Sequence, residues 1–122
     1  MILADTSVWV DHLRHGDARL AALLTAGRIV CQPLVSAEIA LGSLRDRAGV
    51  LGLLDRLPRL PLARMDEIRL LIDRRRLFGR GIGVVDTSLL ASCLLAPGTD
   101  LWTRDRRLAS VAAELGVSAG ET

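Results

Sequence analysis

Four acids in this chain each end or border an apolar stretch. They are Asp5 after Met1–Ala4, Glu38 in Leu34-Val-Ser-Ala-Glu38, Asp86 in Gly83-Val-Val-Asp86, and Asp105 in Leu101-Trp-Thr-Arg-Asp105. In an α/β protein ligands bind in the crevice at the carboxyl edge of the sheet, so carboxylates placed just after strands are candidates for chemistry. Four carboxylates within a few ångströms repel one another. Each close pair costs roughly 1 kcal/mol in water and about 4 kcal/mol at an intermediate effective dielectric. Such a pocket either takes up protons, raising some pKa values, or binds divalent cations. All-oxygen ligands select hard ions, Mg²⁺ or Mn²⁺, over zinc. An ion held this way can activate water and hold phosphate oxygens for in-line attack. No general-base histidine and no phosphate loop stand out, and the chain has no lysine, which excludes any mechanism needing one. The expected chemistry is metal-assisted hydrolysis of a phosphodiester.

Taken singly, the acids differ in weight. Asp5 can equally be the cap of a first helix. Glu38 has Val35, Leu34, Leu41 and Gly42 as its helical neighbours, so it should emerge from an apolar face, a costly place for an acid unless it is paired or bound to a metal. Asp86, among Val84, Val85, Leu89 and Leu90, meets the same difficulty. Asp105 can also cap a helix, but its place just after a strand raises it. Asp100 precedes that strand and belongs at the opposite end of the sheet, about 10 Å away by strand rise, so it is left out. Asp11, Asp17, Asp46, Asp55, Asp66 and Asp73 read as solvated helix charges.

The elements that must position these acids alternate short apolar runs with helical stretches, the pattern of an α/β fold. Met1–Ala4 is the first strand, followed by a helix capped by Thr6 or Ser7 and running to about Leu13. A second helix spans Ala18–Ala26 and stops at Gly27. Arg28–Cys31 is a short strand, and Ser36 caps a helix to about Arg47. Val50–Arg56 gives a helical turn or two. Arg59–Leu62, pinched between Pro58 and Pro61, makes at best an edge strand. A helix over Asp66–Phe78 ends in Arg74, Arg75 and Arg76. The loop Gly79–Gly83 leads to a strongly apolar helix, Val84–Leu95, stopped by Pro97-Gly98. Leu101–Thr103 is a strand, Arg106–Leu115 the last helix and Val117–Ala119 a final short strand. The expected whole is a single domain over 1–122: a three-layer α/β fold with a parallel sheet of four or five strands flanked by helices.

Composition fits that reading. The 122 residues allow one domain with a real core. Aromatics are confined to Trp9, Trp102 and Phe78, so the core must be built from Leu, Val, Ile and Ala. All 16 basic residues are Arg, and the chain also lacks Tyr and Asn, which a GC-rich codon bias explains. A net charge of +2 does not by itself announce a nucleic acid. With the four candidate acids set aside, 16 Arg stand against 10 other carboxylates, consistent with a basic rim around an acidic pocket. Cys31 and Cys93 lie in apolar surroundings and should be buried free thiols rather than a disulfide or zinc site. The first apolar run is too short for a signal peptide, and Thr87–Thr99 is too short to span a bilayer, so a cytoplasmic protein is expected.

The ordered set Asp5-Thr-Ser, Ser36-Ala-Glu38 with Gly42 one turn on, Gly83-Val-Val-Asp86 and Thr103-Arg-Asp105 resembles the PIN-domain nucleases. The small size with nothing appended looks most like the VapC-type toxins of toxin–antitoxin pairs. The match covers about Met1 to Val117. Each motif is short, but four in order at matching spacing are specific. The resemblance implies a Mg²⁺- or Mn²⁺-dependent endoribonuclease that leaves a 5′-phosphate and a 3′-hydroxyl. It also implies a homodimer silenced by a small antitoxin that inserts a segment into the acidic pocket. Asp5, Glu38, Asp86 and Asp105 fall on the family's acidic positions, with Asp5 and Asp86 as the most direct metal ligands. Thr6, Ser7 and Thr103 fall on supporting polar positions. Thr87-Ser88-Leu89-Leu90 is bulkier than the family's usual run after the third acid, and Leu108 replaces a frequent aromatic.

Arg104 and Arg80 flank acids and are the expected substrate contacts, since arginine grips phosphate well. With almost no aromatics for stacking bases, a structured RNA such as tRNA or rRNA, held by backbone and shape, is the expected substrate. A receiver-type phosphoacceptor would need adjacent acids after the first strand and a lysine after the last. An aspartyl-phosphate phosphatase would need Asp-x-Asp, where this chain has Asp5-Thr6-Ser7. The alternative that remains is a PIN fold that binds RNA or a protein without turnover.

Overall fold

The computed structural model describes residues 1–120. Three parallel strands form the sheet: β1 (Ile2–Ala4), β2 (Ile29–Val30) and β3 (Asp100–Trp102), in the order β2-β1-β3. Seven helices among the described residues surround it: α1 (Thr6–His15), α2 (Ala18–Thr25), α3 (Pro33–Ala40), α4 (Arg47–Arg56), α5 (Met65–Arg75), α6 (Val84–Leu95) and α7 (Arg106–Glu114). Ala4 pairs with Trp102, so Asp5 and Thr103 follow directly from two neighbouring strand ends. Asp100, at the start of β3, pairs with Ile2 at the far end of the sheet.

The two outermost segments contribute single bridges instead of strands. Arg59 bridges to Cys31 beside β2, and Ser118 bridges to Leu101 beside β3. The sheet is therefore three-stranded, narrower than the four or five strands expected. At Arg59 the reason is local: Pro58 and Pro61 carry no N–H to extend a ladder.

β1 is central and buried, and Leu3 and Ala4 have no exposed surface. Trp9, Leu20, Ile39, Leu90, Leu101 and Leu108 pack around it with at most 2% exposure. Aliphatic side chains do supply most of the core, but both tryptophans join it. Cys31 and Cys93 are buried free thiols, as expected, and burial pushes the Cys93 thiol up to about 12. Among the described residues no helix is long and apolar enough to cross a membrane.

Two helix starts and one helix end differ from expectation. Asp5, not Thr6 or Ser7, is the N-cap of α1, its side chain accepting from the Val8 N–H. The helix carrying Glu38 begins at Pro33 with Gln32 as its cap, and Ser36 lies inside it. That helix also stops at Ala40, well short of Arg47, where α4 begins. Proline at the first helical position and its missing N–H account for the early start.

Because Leu3 is fully enclosed in the central strand, Leu3→Ala should cost about 2–5 kcal/mol of unfolding free energy. Leu41→Ala, at a position 89% exposed, should change it by less than about 0.5 kcal/mol. Urea unfolding of the two variants measures both.

Candidate active site

Asp5 is the most enclosed of the four acids, with 6% of its surface exposed. A buried carboxylate must have its oxygens hydrogen-bonded, and Asp5 does. Oδ1 accepts from the Ser7 hydroxyl at 2.5 Å and the Val8 N–H at 3.2 Å, while Oδ2 accepts from the Thr103 hydroxyl at 2.5 Å. The two hydroxyls carry the network outward. Ser7 Oγ accepts from the Arg104 N–H and Thr103 Oγ1 from the Asp105 N–H, both at 3.0 Å. One carboxylate thus fastens the end of β1 to the turn after β3.

Asp105 caps α7, with Oδ1 accepting from the N–H groups of Arg107 at 2.8 Å and Leu108 at 3.2 Å. Asp86 sits in the first turn of α6, half-buried, and its Oδ2 accepts from the Gly83 N–H at 3.2 Å. Three of the acids therefore stand at helix N-termini, where backbone N–H groups and the helix dipole favour negative charge. Glu38 differs: it lies in the body of α3 and its Oε1 accepts from the Thr6 hydroxyl at 2.6 Å.

Glu38 is exposed, against the expectation of an acid on a covered apolar face. Its side borders an open groove of about 540 Å³ lined by Val10, Leu13, Ile39, Leu44 and Val50, with Arg14 and Arg45 also on its wall. Of the neighbours that helical spacing gives it, Val35 is buried, Leu41 is 89% exposed and only Gly42 lines this groove, so Glu38 does not sit on a covered apolar face.

The acids interact electrostatically. The Asp86 carboxyl is held above its ordinary value, first by desolvation and then by the nearby charges of Asp105 and Asp5, with the Gly83 N–H opposing the shift. Among the described residues none of the four acids is ion-paired, although the chain contains 16 arginines. Glu38 Oε2, Asp86 Oδ1 and Asp105 Oδ2 have no hydrogen-bond partner there either.

The arginines expected to hold substrate are engaged elsewhere. Arg80 makes a two-pronged pair with Glu114, both contacts at 2.8 Å. Arg104 reaches Asp17 at 2.5 Å and Asp11 at 3.3 Å, and its guanidinium lies 5.3 Å from the Trp102 ring centre. Arg19 covers the same ring at 4.5 Å. Asp17 is accordingly not a plain solvated charge. It caps α2 through the Leu20 N–H, and that bond, followed by Arg104, holds its carboxyl below the usual value.

The donor set suits a hard divalent ion: all oxygen, several atoms unpartnered, and charges that no arginine offsets. Among the described residues no three His, Cys, Asp or Glu side chains are gathered as a ready ligand cluster. Glu38, Asp86 and Asp105 each hold one oxygen on a cap or hydroxyl, and Asp5 holds both.

Residues 2–114 match the family model of the PIN domain. The chain is 52% identical over 121 residues to proteins named Ribonuclease VapC32 from Mycobacterium tuberculosis strains CDC 1551 / Oshkosh and ATCC 25618 / H37Rv. Each comparison covers 99% of this chain and 98% of the relative.

Asp86→Asn removes a desolvated charge that faces two other carboxylates while keeping an acceptor for the Gly83 N–H. An acid whose pKa is raised on folding opposes folding above its unfolded pKa, near 3.8, and this opposition vanishes as pH falls below that value. In metal-free protein Asp86→Asn should therefore melt higher than wild type at pH 7. The difference should shrink toward zero below about pH 3.8, as followed by thermal melts across pH.

Proposed function

The chain belongs to the PIN-domain family, in company with the VapC ribonucleases, and from that premise we propose that it is a metal-dependent endoribonuclease serving as the toxin of a toxin–antitoxin pair. The observation that supports this reading is that Asp86 feels the charges of Asp105 and Asp5 while, among the described residues, no arginine is paired to Asp5, Glu38, Asp86 or Asp105. A group of carboxylates left uncompensated in an Arg-rich chain is built to receive positive charge from outside.

Asp5, Asp86, Glu38 and Asp105 are the residues that would hold Mg²⁺ or Mn²⁺, with Asp5 and Asp86 contributing most directly. When bound, the ion supplies water of lowered pKa and positive charge on the phosphate oxygens. The chain's own residues do the positioning. Ser7 and Thr103 fix both oxygens of Asp5, so that its carboxylate does not rotate when a charged substrate arrives. Thr6 steadies Glu38 from the neighbouring helix α1.

The substrate in this reading is structured RNA, tRNA or rRNA, gripped by its backbone. Arg104 and Arg80 contribute to that grip by exchanging or sharing their present carboxylate partners with phosphate. The antitoxin enters along the groove that ends at Glu38, where apolar walls and two arginines suit an amphipathic segment with acidic residues. Leu70, Phe78, Val84 and Leu95 leave roughly half or more of their surfaces exposed, and they supply apolar area for a homodimer. Such a protein works in the cytoplasm, where its RNA is.

Cleavage of end-labelled tRNA and rRNA by the purified protein, with Mg²⁺, Mn²⁺ or EDTA, tests this directly. Discrete cuts should require metal and fall by at least about a hundredfold in Asp86→Asn. RNA or antitoxin binding without cutting by the wild type would instead establish a non-catalytic binding module. Cuts that survive Asp86→Asn would place the active site elsewhere.

A further inference from the structure

The side chain of Gln32 is completely buried, and the chemistry described so far makes no use of it. Every polar atom of its amide is committed. Oε1 accepts from the Leu34 N–H at 2.7 Å, capping α3. Nε2 donates to Ser88 Oγ at 2.9 Å and to Ser92 Oγ at 3.3 Å, both on α6. Ser92 in turn donates to the Pro61 carbonyl at 2.6 Å. A buried amide satisfied at all three positions is expensive to assemble, and an apolar side chain of similar size would fill the same space.

The helices it joins carry two of the four acids. Glu38 lies four residues beyond Leu34, whose N–H Gln32 caps, and Asp86 lies two residues before Ser88. Those helices pack chiefly on different neighbours: α3 on α1 and α4, α6 on α5 and β3. Apolar packing alone therefore leaves the register of α3 against α6 loosely set. A slip of one residue along α3 moves Glu38 by about 1.5 Å and turns it by about 100°. Hydrogen bonds have the directionality to prevent that slip, and methylene contacts do not.

We propose that Gln32 is a positioning residue that sets Glu38 in register with Asp86. This role rests on the reading of those two acids as parts of one site. Gln32 touches no reacting atom and acts through α3.

The test uses the full chain carrying Gln32→Met together with Ser88→Ala. Removing both ends of the tie leaves neither side chain stranded, Ser92 keeps its bond to Pro61, and only the Leu34 N–H loses its cap. The double variant should melt somewhat below wild type, by no more than one lost cap costs, but cleave RNA about a hundredfold more slowly, the usual consequence of an ångström-scale displacement at a site. Adding Glu38→Gln should then cost far less than it does in the wild-type background, because Glu38 is already displaced. A crystal structure of the variant should show α3 shifted against α6. Full activity, an undiminished Glu38→Gln effect or an unmoved α3 would each overturn the proposal. If Gln32→Met/Ser88→Ala does not fold, Ser88→Ala alone removes one of the two bonds and should give a smaller loss of the same kind. A wild-type protein that cuts no RNA would defeat the ribonuclease reading, and the position of α3 in the variant structure would still decide the role of Gln32.

Discussion

The carboxylate of Asp5 is the interaction on which the rest of this structure depends. It stands where β1 ends, and three donors from two distant parts of the chain close around it: Ser7, the Val8 N–H and Thr103. Those bonds start α1, hold the turn after β3 against β1, and through Thr103 reach the N–H of the residue that starts α7. An acid this enclosed is tolerable only because its oxygens are all occupied. The same bonds hold it in place, and its charge, with that of Asp105, reaches Asp86.

Helix capping places three of the four acids. Asp5, Asp86 and Asp105 each accept from backbone N–H groups at the start of a helix, so each carboxylate lies at a positive helix end. These N-termini offset part of the repulsion among the three without supplying a full positive charge. Asp86 shows the balance: the Gly83 N–H lowers its proton affinity, but desolvation and the charges of Asp105 and Asp5 outweigh that. Arginines close in sequence do not intervene. Arg104 is drawn to Asp17 and Asp11, and Arg80 to Glu114.

Much of this was legible in the sequence, because it depends on local signals. The bounds of α6 follow from an apolar stretch between Gly83 and Pro97-Gly98, and the strand before Asp5 from four apolar residues. Asp5, Asp86 and Asp105 are legible by their place after strands or at helix starts, whereas Glu38 lies in the body of α3. At Asp5 the reading as the cap of the first helix is the one the structure shows. What depends on distant partners was not legible. The destinations of Arg80 and Arg104 are set by residues 34 and 87 positions away. The exposure of Glu38 depends on whether α1 and α4 close over α3, and periodicity along α3 carries no information about that. Gln32 was hidden for a different reason. Glutamine is not among the preferred caps, although Pro33 immediately after it marks a helix start.

The strands are too short to fix the site by themselves. β1 has three residues and β2 only two, and the outer segments contribute one bridge each. A sheet this small leaves the helices free to settle by packing alone, and aliphatic packing tolerates slips that a carboxylate site does not. Directional bonds between side chains therefore carry the precision: Asp5 to Thr103 across the strand ends, Thr6 to Glu38 between α1 and α3, and Gln32 to Ser88 between α3 and α6. Each joins residues more than 30 positions apart, and together they link β1, α1, α3, α6 and the turn after β3. The placement of these side chains is thus set by a few hydrogen bonds laid over a core that is mostly aliphatic.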